Sequence, residues 1–465
     1  MKKLITLGAF ALLSTAAFSQ EATTPTNDQL NSDIQGIKSD IASMKKLKIS
    51  GYVQTQVQFA DSMNVNSFEG GNFSGNDKRF AVRRGRIKFD YSNTTPEGIV
   101  RSQYVFQMDM SEGGFAVKDA YAKFTEPYTN WFSVTMGIQN RPFGFEVPFS
   151  SSLRESPERG RMSQILFPQE RDLGAMITLE GPKTSRWNWL KIQGGLFNGN
   201  GNATKEYKFT KDVIGQIILK KSFMEERLKI SGGASYYNGS VLQGNSMVFN
   251  PGTLSDGTNA LVLDATKVNA NNFSKRQYTG LDAQVSFDSK AGLTTIRGEY
   301  IYGTQPSAVD TLGYYKGKMS WSQASTTSPN SALIPGTVLN AKANVLSTTA
   351  TYNRNFSGLY IYVVQNIMHS KHDVFVKYDV YDPNTKVAGS DIVSSKTINT
   401  VKTSTNLTVA DIKFATLGLG YIYHFDENVK FTLYYAMVTN ENTGLANFTR
   451  DIKDNIFTVR MQYKF

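Results

Sequence analysis

The sequence contains no cysteine, few histidines, and no apolar run long enough for a membrane-spanning helix. Without cysteine, disulfides and cysteine-ligated metal sites are excluded. The most apolar stretch, residues 4–17, is shorter than the about 20 residues that a helix needs to cross a bilayer. If the chain resides in a membrane, it must do so as a closed β-barrel, because only helices and closed barrels satisfy every backbone polar group in lipid.

Acidic residues are outnumbered, with 39 Asp and Glu against 50 Lys and Arg. The mean hydropathy of −0.33 is low for a helical membrane protein, yet the chain holds 29 Phe and 23 Tyr. A transmembrane barrel combines these properties, because its apolar lipid-facing residues alternate with polar residues that face the pore. The alternative interpretation is that the excess of basic residues only keeps the protein soluble.

Three segments with different patterns follow one another along the chain. Residues 1–19 have the basic start, short apolar core and small residues of a signal peptide, with cleavage after Ser19. Residues 20–47 form a linker and a helix, whose apolar residues follow a heptad spacing: Leu30, Ile34, Ile37, Ile41 and Met44. The pattern predicts a short periplasmic coiled coil between protomers, or else a helix folded against the rim of a barrel.

From Lys48 to the end the spacing of apolar residues changes to two. Ile49, Val53 and Phe59 alternate with polar residues, and the alternating runs extend over about ten residues, the length of a tilted membrane-crossing strand. The pattern predicts sixteen strands: 48–60, 79–92, 98–109, 115–125, 131–139, 172–180, 188–198, 212–221, 227–238, 275–288, 292–303, 358–368, 373–382, 413–424, 429–440 and 455–465.

The number of strands is constrained by parity. Both ends of such a barrel face the periplasm, so the number must be even, and short turns must alternate with long loops. Residues 345–354 also look extended, but a strand there would make the count odd and place the long loop 383–412 among the turns. We therefore predict an all-β fold, a 16-stranded antiparallel transmembrane β-barrel spanning 48–465, in the bacterial cell outer membrane.

The last predicted strand carries a further signal. Phe457, Val459, Met461 and Tyr463 alternate with polar residues, and the chain ends on Phe465. An aromatic residue that closes an alternating strand is similar to the signal read by the barrel-assembly machinery, so we expect that machinery as a partner. The other expected partners are outer-membrane lipid and lipopolysaccharide and further copies of this chain in a homotrimer; nucleic acid is not expected.

Several segments together resemble the phosphate-selective porin O/P family, in a form like those of the Bacteroidetes phylum. The most specific are Pro142-Phe143-Gly144-Phe145-Glu146 and Arg171-Asp172-Leu173-Gly174; the others include Arg83-Arg84-Gly85-Arg86-Ile87-Lys88, Lys118-Asp119-Ala120-Tyr121, Phe197-Asn198-Gly199-Asn200-Gly201 and Lys377-Tyr378-Asp379. The resemblance implies a trimeric sixteen-stranded porin, an inward-folded third loop and a basic pore.

Alternation within the strands predicts which charged residues face the pore. A cation that faces lipid at mid-depth costs about 2–4 kcal/mol, so the basic face of each strand should point inward. The predicted pore-lining, anion-binding residues are Arg84, Arg86, Lys88, Arg101, Lys123, Arg297 and Arg460. Arg83 has the wrong parity and is placed near the outer rim. The alternative is that these cations pair with acidic residues across the lumen and brace the wall.

The segment between the fifth and sixth strands is rich in charge. As the third outer loop it can fold inward and narrow the pore, with Arg141, Glu146, Arg154, Glu158, Arg159 and Arg171 as predicted constriction residues. The alternative is a surface loop that packs against a neighbouring protomer.

Catalytic and metal-binding motifs are scarce. No phosphate-binding Gly-Lys-Ser/Thr loop, G-x-S-x-G elbow or H-E-x-x-H occurs, and His369, His372 and His424 fall near predicted turns. We therefore expect no enzyme, no cofactor and no metal site. The expected function is passive diffusion of small solutes with a preference for phosphate-like anions; the alternative is a non-selective barrel or a structural or adhesive one whose long outer loops bind a partner.

Overall fold

The computed structural model describes residues 27–73, 75–111, 114–199, 201, 210–243, 246–269, 272–307, 339–340, 345–346 and 350–465. The predicted signal peptide lies outside these residues. The chain divides into two compact units, one with the N-terminal helix and one with the barrel, and each is described by itself. No helix in the described part of the chain has the length and apolarity to cross a membrane.

The N-terminal helix, α1, spans Asn27–Met44. Four of its apolar heptad residues, Ile34, Ile37, Ile41 and Met44, are exposed, with Ile37 at 57% and Met44 at 74% relative accessibility. The helix falls where the sequence predicts one, whereas its pairing into a coiled coil stays a prediction.

Sixteen strands, here β1 to β16, form the barrel. They are Leu47–Ala60, Lys78–Thr94, Val100–Ser111, Gly114–Thr125, Phe132–Asn140, Arg171–Glu180, Leu190–Phe197, Asp212–Phe223, Leu228–Leu242, Phe273–Ser289, Gly292–Ser307, Thr351–Asn366, His372–Asp382, Phe414–His424, Val429–Asn440 and Ile456–Lys464. The prediction of sixteen antiparallel strands is confirmed.

The barrel closes where its last strand meets its first. β16 pairs antiparallel with β1 from Tyr52↔Lys464 to Ala60↔Ile456, and the backbones of Gly51 and Phe465 exchange two hydrogen bonds of 3.0 Å. Because the strand count is even, both ends of the barrel chain lie at the same end of the barrel. We call this the turn end, since the short connections lie there, and the opposite end the loop end.

The two faces of the wall have the polarity expected from alternation. Along β1 the outward Ile49, Val53 and Phe59 are 40–54% exposed, whereas the inward Gln54 and Gln56 are at most 3% exposed. A soluble protein has the opposite arrangement, with apolar residues inside. Period-two alternation therefore produces an apolar exterior around a polar interior.

One strand begins earlier than predicted. β12 starts at Thr351, within the stretch 345–354 that parity excluded as a separate strand, and its first residues pair with the end of β11, as in Tyr352↔Ser307. The count was right, but part of the excluded stretch belongs to β12. Alternation continues where strands extend past the region that lipid would cover, so sequence alone does not mark their ends.

The described connections at the loop end contain short elements of their own. Two-stranded pairs form between Asn66–Ser67 and Gly71–Asn72, Val248–Thr253 and Asn259–Asp264, Leu339–Asn340 and Val345–Leu346, and Ser395–Ile398 and Val401–Ser404; one-turn helices span Lys267–Asn269, Gly389–Asp391 and Val409–Asp411. Leu261, Ile392, Leu407 and Leu445 pack into an apolar cluster that joins three of these connections.

Candidate functional site

The connection between β5 and β6, residues 141–170 and here called L3, folds into the barrel. It contains the short helix α2, Arg161–Leu166, and its side chains Phe143, Met162 and Phe167 are at most 1% exposed. They pack against inward-facing aromatic residues of the wall; the Phe143 and Phe167 rings each lie about 6 Å from Tyr278. L3 therefore has an apolar core with one side of the barrel and is a fixed part of its interior.

The first turn of L3 is shaped by a close approach to the wall. Gly144 has φ +62°, and a Cβ there would lie 1.8 Å from Oε1 of Glu299 on β11. The backbone N–H groups of Phe145 and Glu146 donate to Glu299 Oε2 at 3.3 and 3.1 Å. Any Cβ at this position would displace the Glu299 carboxylate, and the positive φ also favours glycine, which accounts physically for the Pro-Phe-Gly-x-Glu segment.

Glu146 joins the two limbs of L3. Its carboxylate accepts the backbone N–H of Gly160 at 3.0 Å to both oxygens, and the Tyr362 hydroxyl lies 3.5 Å away. Glu146 is thus a structural clamp inside the loop.

The middle of L3 is held by Glu158, which is 3% exposed. Its carboxylate lies 3.0 Å from Arg84, 2.9 Å from Arg460 and 2.8 Å from Arg83. Burial alone would raise the pKa of Glu158, but the three guanidinium groups hold it well below the ordinary value. Three cations from β2 and β16 therefore fix one carboxylate of the loop.

The position of Arg83 corrects an expectation. Strict alternation placed it on the outer face near the rim, but its guanidinium binds Glu158 beside that of Arg84. Before Arg83 the odd-numbered positions face inward, since Ala81 is buried and Val82 exposed. After it the even-numbered positions face inward, since Arg86 is buried, so the inward phase shifts by one residue between Arg83 and Arg84. A simple period of two cannot reveal such a shift.

The tip of L3 is attached to the wall near the turn end. Arg297 on β11 binds Glu155 at 3.1 Å and lies 4.7 Å from the centre of the Tyr362 ring. Ser151 accepts from Arg86 at 3.1 Å, and Lys430 donates to the carbonyl oxygens of residues 152 and 154 at 3.0 and 3.1 Å. The wall cations near the tip therefore bind the loop.

Ion pairs also secure both ends of L3. Arg141 binds Asp172 at 3.1 Å, and Arg159 lies 3.6 Å from Glu170 while it donates to two carbonyl groups of the loop. Arg171 is the first residue of β6 and binds Asp119 on β4 at 3.1 Å.

The predicted pore-lining residues divide into two groups. Arg84, Arg86, Arg297 and Arg460 are only 4–7% exposed and contact L3. Lys88, Arg101 and Lys123 are half-buried on the inner side of β2, β3 and β4. Lys88 lies 3.1 Å from Asp90, and Arg101 donates to the Glu126 carbonyl at 3.0 Å. The first group braces the loop, as in the alternative that the sequence left open.

A second inward-folded loop was missed by the sequence. Residues 61–77, here called L1, place Phe68 and Glu69 inside the barrel, both at most 2% exposed. Glu69 binds Lys377 of β13 at 2.9 Å, and the Phe68 carbonyl accepts from Gln164 of α2 at the same distance. In the sequence Lys377 was noted only as part of the family resemblance. Its inward-facing position could have indicated L1, because a buried lysine requires an acidic partner and a loop can supply one.

The inner side chains of the wall differ in their exposure to solvent. Inner residues of β13 to β16, such as Lys377, Thr416 and Thr458, are at most 1% exposed beneath L1 and L3. In the turn-end half of four strands, β2, β3, β4 and β7, several inner residues keep partial exposure: Lys88, Asp90, Arg101, Gln103, Tyr121, Lys123, Lys191 and Gln193. The inner Ser133, Thr135 and Thr178 of β5 and β6 are buried. The set of partly exposed residues, here called the open wall, is where a solute inside the barrel would meet side chains.

The three histidines lie at the turn end. His369 is 2.6 Å from Asp288 and His424 is 2.7 Å from Asp373. Among the described residues no group of three or more His, Asp or Glu has the geometry of a metal site.

No family model matches the chain, and no curated relative matches it. Solved structures do resemble it. The high-pH structure of Pseudomonas putida OprB has a TM-score of 0.53 at 9% identity and covers 93% of this chain and 97% of that chain. The outer-membrane channel DcaP of Acinetobacter baumannii has a TM-score of 0.49 at 11% identity, with 90% and 97% covered. The chain therefore shares a barrel fold with OprB.

Proposed function

We propose that this chain is an outer-membrane porin, a non-enzymatic channel for passive diffusion of small solutes. The carrying observation is the open wall: partly exposed polar and charged side chains lie on the inside of β2, β3, β4 and β7, while L1 and L3 cover inner residues of β13 to β16. An apolar exterior around such an interior is the arrangement of a barrel that spans a bilayer. Similarity to OprB supports the fold on which this proposal depends.

The proposed preference is for anions. Most inner cations are paired with acidic side chains. Ion selectivity therefore depends on the few inner cations that have no acidic partner. Among the described residues, Arg101 and Lys123 on the open wall have no carboxylate within the 4.0 Å of an ion pair. Two uncompensated cations beside the path raise the local anion concentration. Phosphate-like anions are the proposed solutes because of the resemblance to the phosphate-selective porin O/P family.

The test is the reversal potential of the purified protein in a planar bilayer under a KCl gradient. We expect anion preference in the wild type and a shift toward cations in Lys123→Glu. Lys267→Glu makes the same charge change at an exposed site of the loop end and should leave the potential unchanged. A cation-preferring wild type would contradict anion selectivity, and absence of stable conductance would contradict the porin itself. Phosphate that blocks chloride current would support phosphate as a solute.

The proposed assembly is a homotrimer in the outer membrane. The exposed apolar residues Ile34, Ile37, Ile41 and Met44 of α1 support it, since a heptad seam of this kind is buried when helices pair. The signal peptide over residues 1–19, contacts with lipopolysaccharide, and recognition of Phe465 by the assembly machinery belong to the same proposal.

A further inference from the structure

Cations outnumber acidic groups beneath the tip of L3. Arg83, Arg84 and Arg460 all bind the carboxylate of Glu158. Arg154 lies within electrostatic range of Arg84 and Lys430. The other nearby carboxylates already have cations of their own: Glu155 is bound by Arg297, Glu69 by Lys377 and Asp109 by Arg86. A buried excess of positive charge is unfavourable unless an anion balances it.

Arg154 is the cation beneath the tip of L3 that has no acidic partner among the described residues. It is 5% exposed, and its Nε is buried with no hydrogen-bond acceptor. Among the described residues no carboxylate lies within 4.0 Å of its guanidinium. By comparison, Arg460 donates to the Pro157 carbonyl as well as to Glu158 and Gln56. Because buried guanidinium groups in proteins are almost always paired, Arg154 requires an acceptor.

The surroundings of Arg154 allow a small anion to arrive. The preceding residue, Leu153, is 56% exposed and Lys430 is half-buried, so solvent reaches the loop tip beside Arg154. Lys430 uses two of its donors on the carbonyl oxygens of residues 152 and 154, which leaves its third N–H for another acceptor. The planar fork of arginine matches two oxygens of a tetrahedral oxyanion.

We infer that Arg154, with Arg84 and Lys430, binds one inorganic oxyanion of the phosphate or sulfate type that stays resident beneath L3. Arg84 and Arg154 are at most 7% exposed, whereas the open-wall residues are partly exposed, so we assign this ligand to the structure of the barrel and not to the permeating solute. By bridging β2, β15 and the loop, the anion holds the tip of L3 against the wall. This inference goes beyond the proposed function and does not depend on the direction of selectivity.

The test is equilibrium dialysis of the detergent-solubilised full chain against radiolabelled inorganic phosphate at constant ionic strength, set with NaCl. We expect one saturable site per wild-type chain, displaced by sulfate but not by chloride. Arg154→Gln should weaken binding at least tenfold, because a bidentate charge-assisted contact is lost. Arg186→Gln removes one cation from an exposed turn and should bind as the wild type does.

Folding of the variant is checked by the gel mobility of unheated samples, which reports an assembled barrel. If Arg154→Gln does not assemble, Arg154→Lys keeps the charge without the fork, and we expect assembly with weaker binding. Absence of saturable binding in the wild type, or equal binding in assembled Arg154→Gln or Arg154→Lys, would overturn the inference. The two proposals have separate tests. Absence of phosphate binding in dialysis would overturn the resident anion but not the porin, and a cation-preferring reversal potential would contradict anion selectivity but not the resident anion.

Discussion

Arg460 and Glu158 are 302 residues apart in the sequence, and their side chains meet at 2.9 Å. Arg460 belongs to the strand that closes the barrel, and Glu158 to the middle of L3. Arg84 on β2 binds the same carboxylate from the other side of β1. The loop is therefore fastened to the strands on both sides of the closure, so assembly of the barrel and placement of L3 depend on each other.

Glu158→Gln should loosen L3 and destabilise the barrel. The change leaves three buried guanidinium groups without their carboxylate, and breaking a buried ion pair from one side costs about 3–5 kcal/mol. We expect a lower thermal unfolding midpoint in detergent and larger fluctuations of single-channel current. Glu226→Gln, at an exposed turn, is the control and should behave as the wild type.

The same carboxylate has a predictable response to acid. Since the pKa of Glu158 is held below its ordinary value of 4.5, its ion pairs contribute their full stability above that pH and lose it only as pH falls through the lower, folded-state pKa. We expect the wild-type midpoint to decline under strong acid with a slope that Glu158→Gln lacks. Equal slopes in both proteins would exclude this role.

Gly144→Ala should displace the first turn of L3. The added methyl group would meet the Glu299 carboxylate at 1.8 Å, and the φ of +62° adds left-handed strain. Gly98→Ala is the matched control, because its φ of +82° carries the strain while nothing lies within 4 Å of a Cβ there. We expect Gly144→Ala to lower the free energy of unfolding by roughly 1–3 kcal/mol more than Gly98→Ala does, measured from the thermal unfolding midpoints. Similar losses in both would mean that the close approach is unimportant.

Single cysteines can map the permeation path, because the chain has none of its own. In Gln103→Cys the thiol lies on the open wall, and a charged methanethiosulfonate reagent should change the conductance at once. Thr416 is 1% exposed beneath the loops, so Thr416→Cys is conservative in size and should react far more slowly. Rapid reaction at residue 416 together with protection at 103 would place the path on the other side of the barrel.

Ile37→Cys should cross-link protomers if α1 forms a coiled coil. Ile37 is 57% exposed on the helix and lies on the heptad seam, so oxidation would join neighbouring helices and shift the protein to a covalent dimer on a denaturing gel. Gly36→Cys lies beside the seam, where nothing is within 4 Å, and should cross-link less. Equal yields at both positions would argue against a specific seam.

Much of the wall was predictable from the sequence, since strand number and facing depend on local pattern. Alternation identified all sixteen strands, and parity rejected a seventeenth. The same logic failed at Arg83, where the inward phase shifts by one residue, and at the start of β12, where the strand begins earlier than predicted because alternation does not mark its end.

The sequence alone determined the barrel, its polarity and the strands on which inner cations lie, because a two-residue period and the hydrogen-bonding demands of lipid act on each strand separately. Only the tertiary structure decided what those cations do. Whether Arg84 or Arg460 meets a solute or a carboxylate depends on where L3 lies, and no periodicity encodes the path of a loop. Contacts between residues hundreds of positions apart, such as Glu69 with Lys377, follow from closure of the barrel and from the need of each buried charge for a partner.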